Sequence, residues 1–174
     1  MSEPMGREDE LRGRLEVGAD PEALRELAAL VGRDRARRGE AVELHRRLVE
    51  TVEESGRGAA LLALARAEIE ARRTGDAIET LRRCTKASPE MAEAYDLLGE
   101  LLRGAGLLEE AVGVLRRAAE LEPANLRPRL ALVVCLDSLG RRDEATRVLQ
   151  GAAESAGEDA AMQALIREIM HRRS

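Results

Sequence analysis

The sequence predicts an all-α protein: a stack of helical hairpins preceded by N-terminal helices and closed by a C-terminal capping helix. Three observations carry that expectation. The chain of 174 residues has no Phe, no Trp and a single tyrosine, Tyr95, whereas β-sandwiches and barrels draw heavily on aromatic and β-branched side chains. It is rich instead in Ala, Leu, Arg and Glu, which are good helix formers. Three consecutive segments repeat with a period of 34 residues, and periods of that size mark arrays of stacked supersecondary units. With 44% hydrophobic and 35% charged residues, the chain can bury one domain's core.

The elements follow in chain order. Residues 1–20 read as a polar tail with a short helix. Asp20-Pro21 is a helix start, an acceptor side chain followed by a residue whose fixed φ suits the first helical position. Residues of about 21–36 and 39–54 form a degenerate hairpin within 21–57. Its Gly39-Glu40-Ala41-Val42-Glu43 echoes Gly75-Asp76-Ala77-Ile78-Glu79 at a shift of 36. The basic run Arg33-Asp34-Arg35-Ala36-Arg37-Arg38 is expected to end the first helix of this hairpin before Gly39, where cations match the helix dipole. As a binding patch it suits an acidic protein segment better than DNA. Gly56-Arg57-Gly58 reads as a short break before the regular array.

The array itself has three units, 58–91, 92–125 and 126–157. In the middle one, Tyr95, Leu98 and Leu102 recur at helical spacing through about 92–104. Gly104 and Gly106 then break the helix, and Ala111, Leu115 and Ala118 stripe a second helix ending near Pro123. Gly106-Leu107-Leu108-Glu109-Glu110-Ala111 aligns with Gly140-Arg141-Arg142-Asp143-Glu144-Ala145, and Ala77, Leu81, Cys84 and Pro89 align with Ala111, Leu115, Ala118 and Pro123. Residues 158–174 carry a last helix, about 158–172, with Ala161, Met162, Leu165, Ile166 and Ile169 as its apolar side. That helix is the cap an open stack requires.

These residues resemble the tetratricopeptide repeat. Its pattern of Trp-x2-Leu-Gly-x2-Tyr, Ala-x3-Phe and Pro is met by Tyr95-x2-Leu98-Gly99-x2-Leu102, Ala111-x3-Leu115 and Pro123. The third unit keeps Leu132, Leu136, Gly140, Ala145, Leu149 and Ala152 but has Arg129 at the first aromatic position. The first keeps Leu61, Leu64, Ala65, Ala77, Leu81, Cys84 and Pro89, yet has Glu68 and Arg72 where an apolar residue and a glycine are usual. The resemblance implies a right-handed α-solenoid whose first helices line a concave groove that takes an extended peptide or a helix. It places the groove at Leu62, Arg66, Glu93, Asp96, Leu97, Glu100, Arg103, Arg127, Leu130, Ala131 and Val134, beside Ala63 and Ile69. A family variant grips acidic chaperone tails with Lys, Asn and Arg. Here those spots hold Leu62, Arg66, Leu97, Arg127 and Ala131, with only two cations, so tail capture of that kind is disfavoured.

Charge narrows the partner. The net charge is −5 with pI near 5.3, which gives no general attraction to phosphate backbones or anionic lipid. Without aromatic platforms, base stacking on single strands is excluded as well. Neither nucleic acid nor membrane is expected. The central unit holds 3 basic and 7 acidic residues, so a partner protein or peptide with a basic or amphipathic segment is the electrostatic expectation. Towards the C-terminus the groove positions turn apolar, to be covered by residues 158–172 or by a partner.

Catalytic constellations are missing from the sequence, so the expectation is a non-enzymatic protein with no cofactor and no metal. His45 and His171 are the two histidines. His45 falls on a helix stripe and reads as a partly buried structural residue, and His171 as a C-terminal cation suited to the helix dipole. Cys84 and Cys135 lack a neighbouring Cys or His and read as small buried hydrophobes. Glu109-Glu110 are first-turn helix acids, and Gly104-Ala105-Gly106 follows no strand, unlike a phosphate loop. A polar, acidic start without a secretion-signal pattern, and only two cysteines, set a cytoplasmic, reduced expectation. The near replacement of Lys by Arg suggests a GC-rich, bacterial coding sequence.

Three functional readings follow from the sequence. The first is a scaffold or adaptor binding a partner through the groove. The second is a small secretion-type chaperone shielding an apolar client segment. The third is a structural module that self-associates into a homo-oligomer through the degenerate hairpin or the Arg129-bearing edge.

Overall fold

A computed structural model describes residues 6–155 together with 163–164, 166–167 and 171. Among the described residues it contains helices and connecting turns only, as the composition dictates. The chain divides into two compact units, Met1–Ser88 and Pro89–Ser174.

In the first unit, α1 spans Arg7–Val17, α2 Pro21–Gly32, α3 Arg38–Thr51, α4 Glu54–Glu70 and α5 Thr74–Ala87, with a 3-10 turn at Arg35–Arg37 between α2 and α3. Each helix packs on the next in sequence. Asp20 starts α2 as expected, its carboxylate accepting hydrogen bonds from the backbone N–H groups of Glu22 and Ala23, each at 3.0 Å, with Pro21 in the first turn. Leu24, Leu27, Val42, Leu48, Leu61, Leu64 and Leu81 form the core, each no more than 2% exposed.

Two sequence expectations are corrected here. Gly56-Arg57-Gly58 is no break, because it lies inside α4, whose first residue is Glu54. Near a helix N-terminus glycine interrupts few backbone bonds, and Gly58 is a packing position: it is buried and its carbonyl accepts the Cys84 thiol at 3.3 Å. The basic run does not cap a long helix either. The α2 helix ends at Gly32, Asp34 accepts from the Ala36 N–H at 2.9 Å to start the 3-10 turn, and Gly39 lies in the first turn of α3.

The polar tail forms α1, which is fastened to the hairpin by Leu11, 1% exposed, and by ion pairs. Glu8 accepts from Arg37 at 2.6 and 2.9 Å and from Arg12 at 2.8 Å. Arg12 in turn pairs with Glu40, and Arg7 with Glu26.

In the second unit, α6 spans Ala92–Gly104, α7 Leu108–Leu121, α8 Arg127–Ser138 and α9 Arg142–Ser155. Consecutive helices pack together and α6 also meets α8. The positions where the repeat pattern calls for aromatics are filled by Leu102, Leu115, Leu136 and Leu149, all fully buried. Gly99 admits Leu115 so closely that a Cβ there would lie 2.4 Å from its Cδ2. Ala161, Met162, Leu165 and Ile169 of the predicted capping helix lie outside the described residues; Ile166 is fully buried.

The turns inside the hairpins share one geometry. Arg72, Gly106 and Gly140, 34 residues apart, all have positive φ, at 62°, 77° and 73°. After each, the N–H of the next residue reaches back to a helix carbonyl: Arg73 to Glu68 at 2.8 Å, Leu107 to Leu102 at 2.9 Å, Arg141 to Leu136 at 2.8 Å. This is the Schellman closure, in which a left-handed residue lets the chain satisfy the last helix carbonyls while it turns.

Candidate partner-binding site

The sequence-predicted groove residues divide between the units. Leu62 and Arg66 belong to α4 in the first. There Leu62 is buried at 9% exposure and Arg66 is exposed, with Ala63 and Ile69 half-buried beside it. The other nine belong to α6 and α8, the two first helices of the second unit, which pack against each other and form its first-helix face.

On that face burial sorts the residues. Glu93, Arg103 and Arg127 are exposed, and Leu97, Glu100 and Leu130 are half-buried. Val134 is 50% exposed, one of few large apolar side chains so open. Leu130 and Val134, four residues apart on α8, present neighbouring apolar surface. Ala131 and Asp96, each 7% exposed, are instead part of the packing.

The acidic centre is partly neutralised within the unit. Glu100 accepts from the Arg103 guanidinium at 2.7 and 3.2 Å. Asp96 Oδ2 lies 3.8 Å from Arg127 Nη1, and its Oδ1 is buried without a hydrogen-bond partner. Burial pushes the Asp96 carboxyl up from its ordinary range; Arg127 opposes this, while Glu100, Glu122 and Glu93 add to it. The face therefore holds one desolvated carboxylate backed by further acids and fronted by a mobile-length cation, next to an apolar strip.

The two chain-internal thiols play no part in it. Cys84 and Cys135 are both buried, and burial pushes the Cys135 thiol up, the opposite of an activated nucleophile. Among the described residues no group of three His, Cys, Asp or Glu side chains is placed to hold a metal ion.

Two family models, both described as tetratricopeptide repeat, match residues 58–101 and 102–169. Over residues 58–169 the chain belongs to the tetratricopeptide repeat family. No curated protein matches the sequence. Among solved structures, a crystal structure of MamA superposes with a TM-score of 0.73 at 21% identity, covering 87% of both chains. YrrB, described as a tetratricopeptide protein with an unusual peptide-binding site, does so at 0.67 and 16% identity, over 86% of this chain and 75% of its own. The type III secretion translocator chaperone SycD of Yersinia enterocolitica matches at 0.57 and 16% identity, over 68% of this chain and 90% of its own. These likenesses establish the fold, an array of stacked tetratricopeptide hairpins.

Sequence reasoning missed a second concave feature, in the degenerate hairpin. An open cavity of about 580 Å³ lies among α2, α3 and α4, with Arg38, Ala41 and His45 in its lining. Those three residues are spaced i, i+3, i+7 along α3, so one helical face was visible in the sequence. Its meaning was not, because it depends on the small residues of two other helices.

Proposed function

We propose that this protein is a non-enzymatic tetratricopeptide adaptor that docks a partner protein or peptide on the first-helix face of its repeats. The observation that carries the reading is the α6–α8 face. There the exposed Val134 and half-buried Leu97 and Leu130 share two packed helices with the buried Asp96 carboxyl and with Glu93. Apolar side chains in such an arrangement bury a partner's anchors, and the acids select basic neighbours around them. An amphipathic segment with Arg or Lys flanking its apolar residues is the complementary partner. The fold relationship to YrrB, with its peptide-binding site, supports this use of the surface.

The test is a peptide array probed with the full chain and with Leu130→Asp combined with Val134→Asp. Basic amphipathic peptides should be retained by the first and lost by the second at unchanged melting temperature. Equal retention by both proteins would remove the face from the proposal.

The likeness to the chaperone SycD favours a second reading, in which the same face shields an apolar segment of a client. A client that precipitates without this protein and stays soluble with it marks a chaperone, whereas one stable alone marks an adaptor partner. Self-association draws less support. The degenerate hairpin is already covered by α1 through Leu11 and the Glu8 pairs, and Arg129 points inward, its Nη1 3.4 Å from the Gly151 carbonyl oxygen. Light scattering across concentrations should show a monomer.

A further inference from the structure

We infer that the cavity among α2, α3 and α4 is an oxyanion site that seats a side-chain carboxylate of an acidic peptide segment. It concerns the first unit and stands apart from the α6–α8 face.

The cavity exists because its walls are short. Ala28 and Gly32 on α2, Ala41 on α3 and Ala67 on α4 all line it, leaving an open space of about 580 Å³ where larger residues would have closed the helices together. That volume exceeds a lone carboxylate and leaves room for the chain that bears it. Exposed Ala29, Arg33 and Arg66 at its edge open it to solvent.

Its charge is one-sided. Arg33, Arg38, Arg66 and His45 contribute, against the single acid Glu70. Several other arginines of the first unit are held in local ion pairs. Arg7, Arg12, Arg14, Arg37 and Arg46 each pair with a carboxylate. Arg33 forms no ion pair among the described residues. Arg38 donates from Nη1 to the Glu70 carbonyl oxygen at 3.1 Å, while its Nε is buried with no partner, as is His45 Nδ1. Guanidinium groups favour carboxylates with paired, charge-assisted hydrogen bonds. Burial pushes the His45 imidazolium's pKa down, with Arg25 in the same direction and Glu70 opposed. The chain's acidity disfavours polyanions such as nucleic acid over a short acidic segment.

The two histidines make the test direct, because the exposed His171 is an internal reference for His45. The full chain is titrated with an acetylated, amidated oligoglutamate peptide while the imidazole proton resonances are followed, and in separate arms with succinate and with inorganic phosphate. The peptide should shift His45 saturably and leave His171 unmoved. Arg33→Glu and Ala29→Leu, both at exposed positions, should weaken binding about tenfold or more without lowering the melting temperature. Leu130→Asp with Val134→Asp should leave this binding intact, which separates it from the fate of the α6–α8 face. An unmoved His45, equal affinity in the Arg33→Glu variant, or tighter saturation by phosphate overturns the inference. Succinate binding as tightly as the peptide overturns the peptide assignment.

Discussion

Single residues decide where this array departs from an ideal repeat. Arg72 holds a backbone conformation that Gly106 and Gly140 take at equivalent positions, and left-handed geometry costs an L-residue roughly 1 kcal/mol relative to glycine. Arg72→Gly should therefore stabilise the protein by about 1 kcal/mol, and Gly106→Ala or Gly140→Ala should destabilise it similarly, as denaturant melts will show. Gly99 is a different case. Leu115 is fully buried and cannot yield to a new methyl, so Gly99→Ala should cost on the order of 1–3 kcal/mol.

Glu68, where the repeat pattern expects an apolar residue, is 2% exposed with its Oε2 unpartnered. Burial pushes its carboxyl up; the Thr80 hydroxyl and Arg46 oppose this incompletely. A carboxyl whose folded-state pKa is raised costs stability once pH exceeds the unfolded value, and the cost vanishes in acid. Glu68→Gln should accordingly gain stability relative to the native chain at pH 7 and lose that advantage near pH 4.

At the scale of elements, the repeat period located α6 to its first and last residue, 92 and 104. This was possible because glycine closure and a leucine stripe mark both ends of that hairpin. The degenerate hairpin was harder. The sequence showed a cationic run at 33–38 but not its neighbours, and the role of Arg37 depends on Glu8, 29 residues away. Likewise the family resemblance placed Asp96 among the groove acids; its burial depends on neighbours that its position on α6 does not reveal.

The docking of α1 gives a pH prediction. The Arg37 and Arg12 guanidiniums hold the Glu8 carboxyl down at about 2, so its contribution is present above the ordinary carboxylate pKa and is lost as pH falls towards 2. Because the pair is partly solvent-exposed, salt should weaken it too. Amide exchange in α1 should rise between pH 4 and pH 2 ahead of α4 and α5. Leu11→Ala, which removes the one buried α1 side chain, should release α1 at neutral pH, at a cost of about 2–4 kcal/mol.

For the whole molecule, the lack of Phe and Trp shapes both stability and recognition. Leucines occupy the aromatic repeat positions without exposing a stacking surface. The net charge of −5 is unevenly spread, with acids around α6 in one unit and Arg33, Arg38 and Arg66 lining the cavity of the other. Among the described residues no helix is long and apolar enough to cross a membrane.

The most direct measurement is hydrogen-exchange footprinting of the full chain, with and without a basic amphipathic peptide selected on the array. Docking on the first-helix face predicts protection in α6 and α8, centred on Leu97, Leu130 and Val134, with α7 and α9 unchanged. Protection confined to α7 and α9, or none in α6 and α8 at saturating peptide, would contradict it.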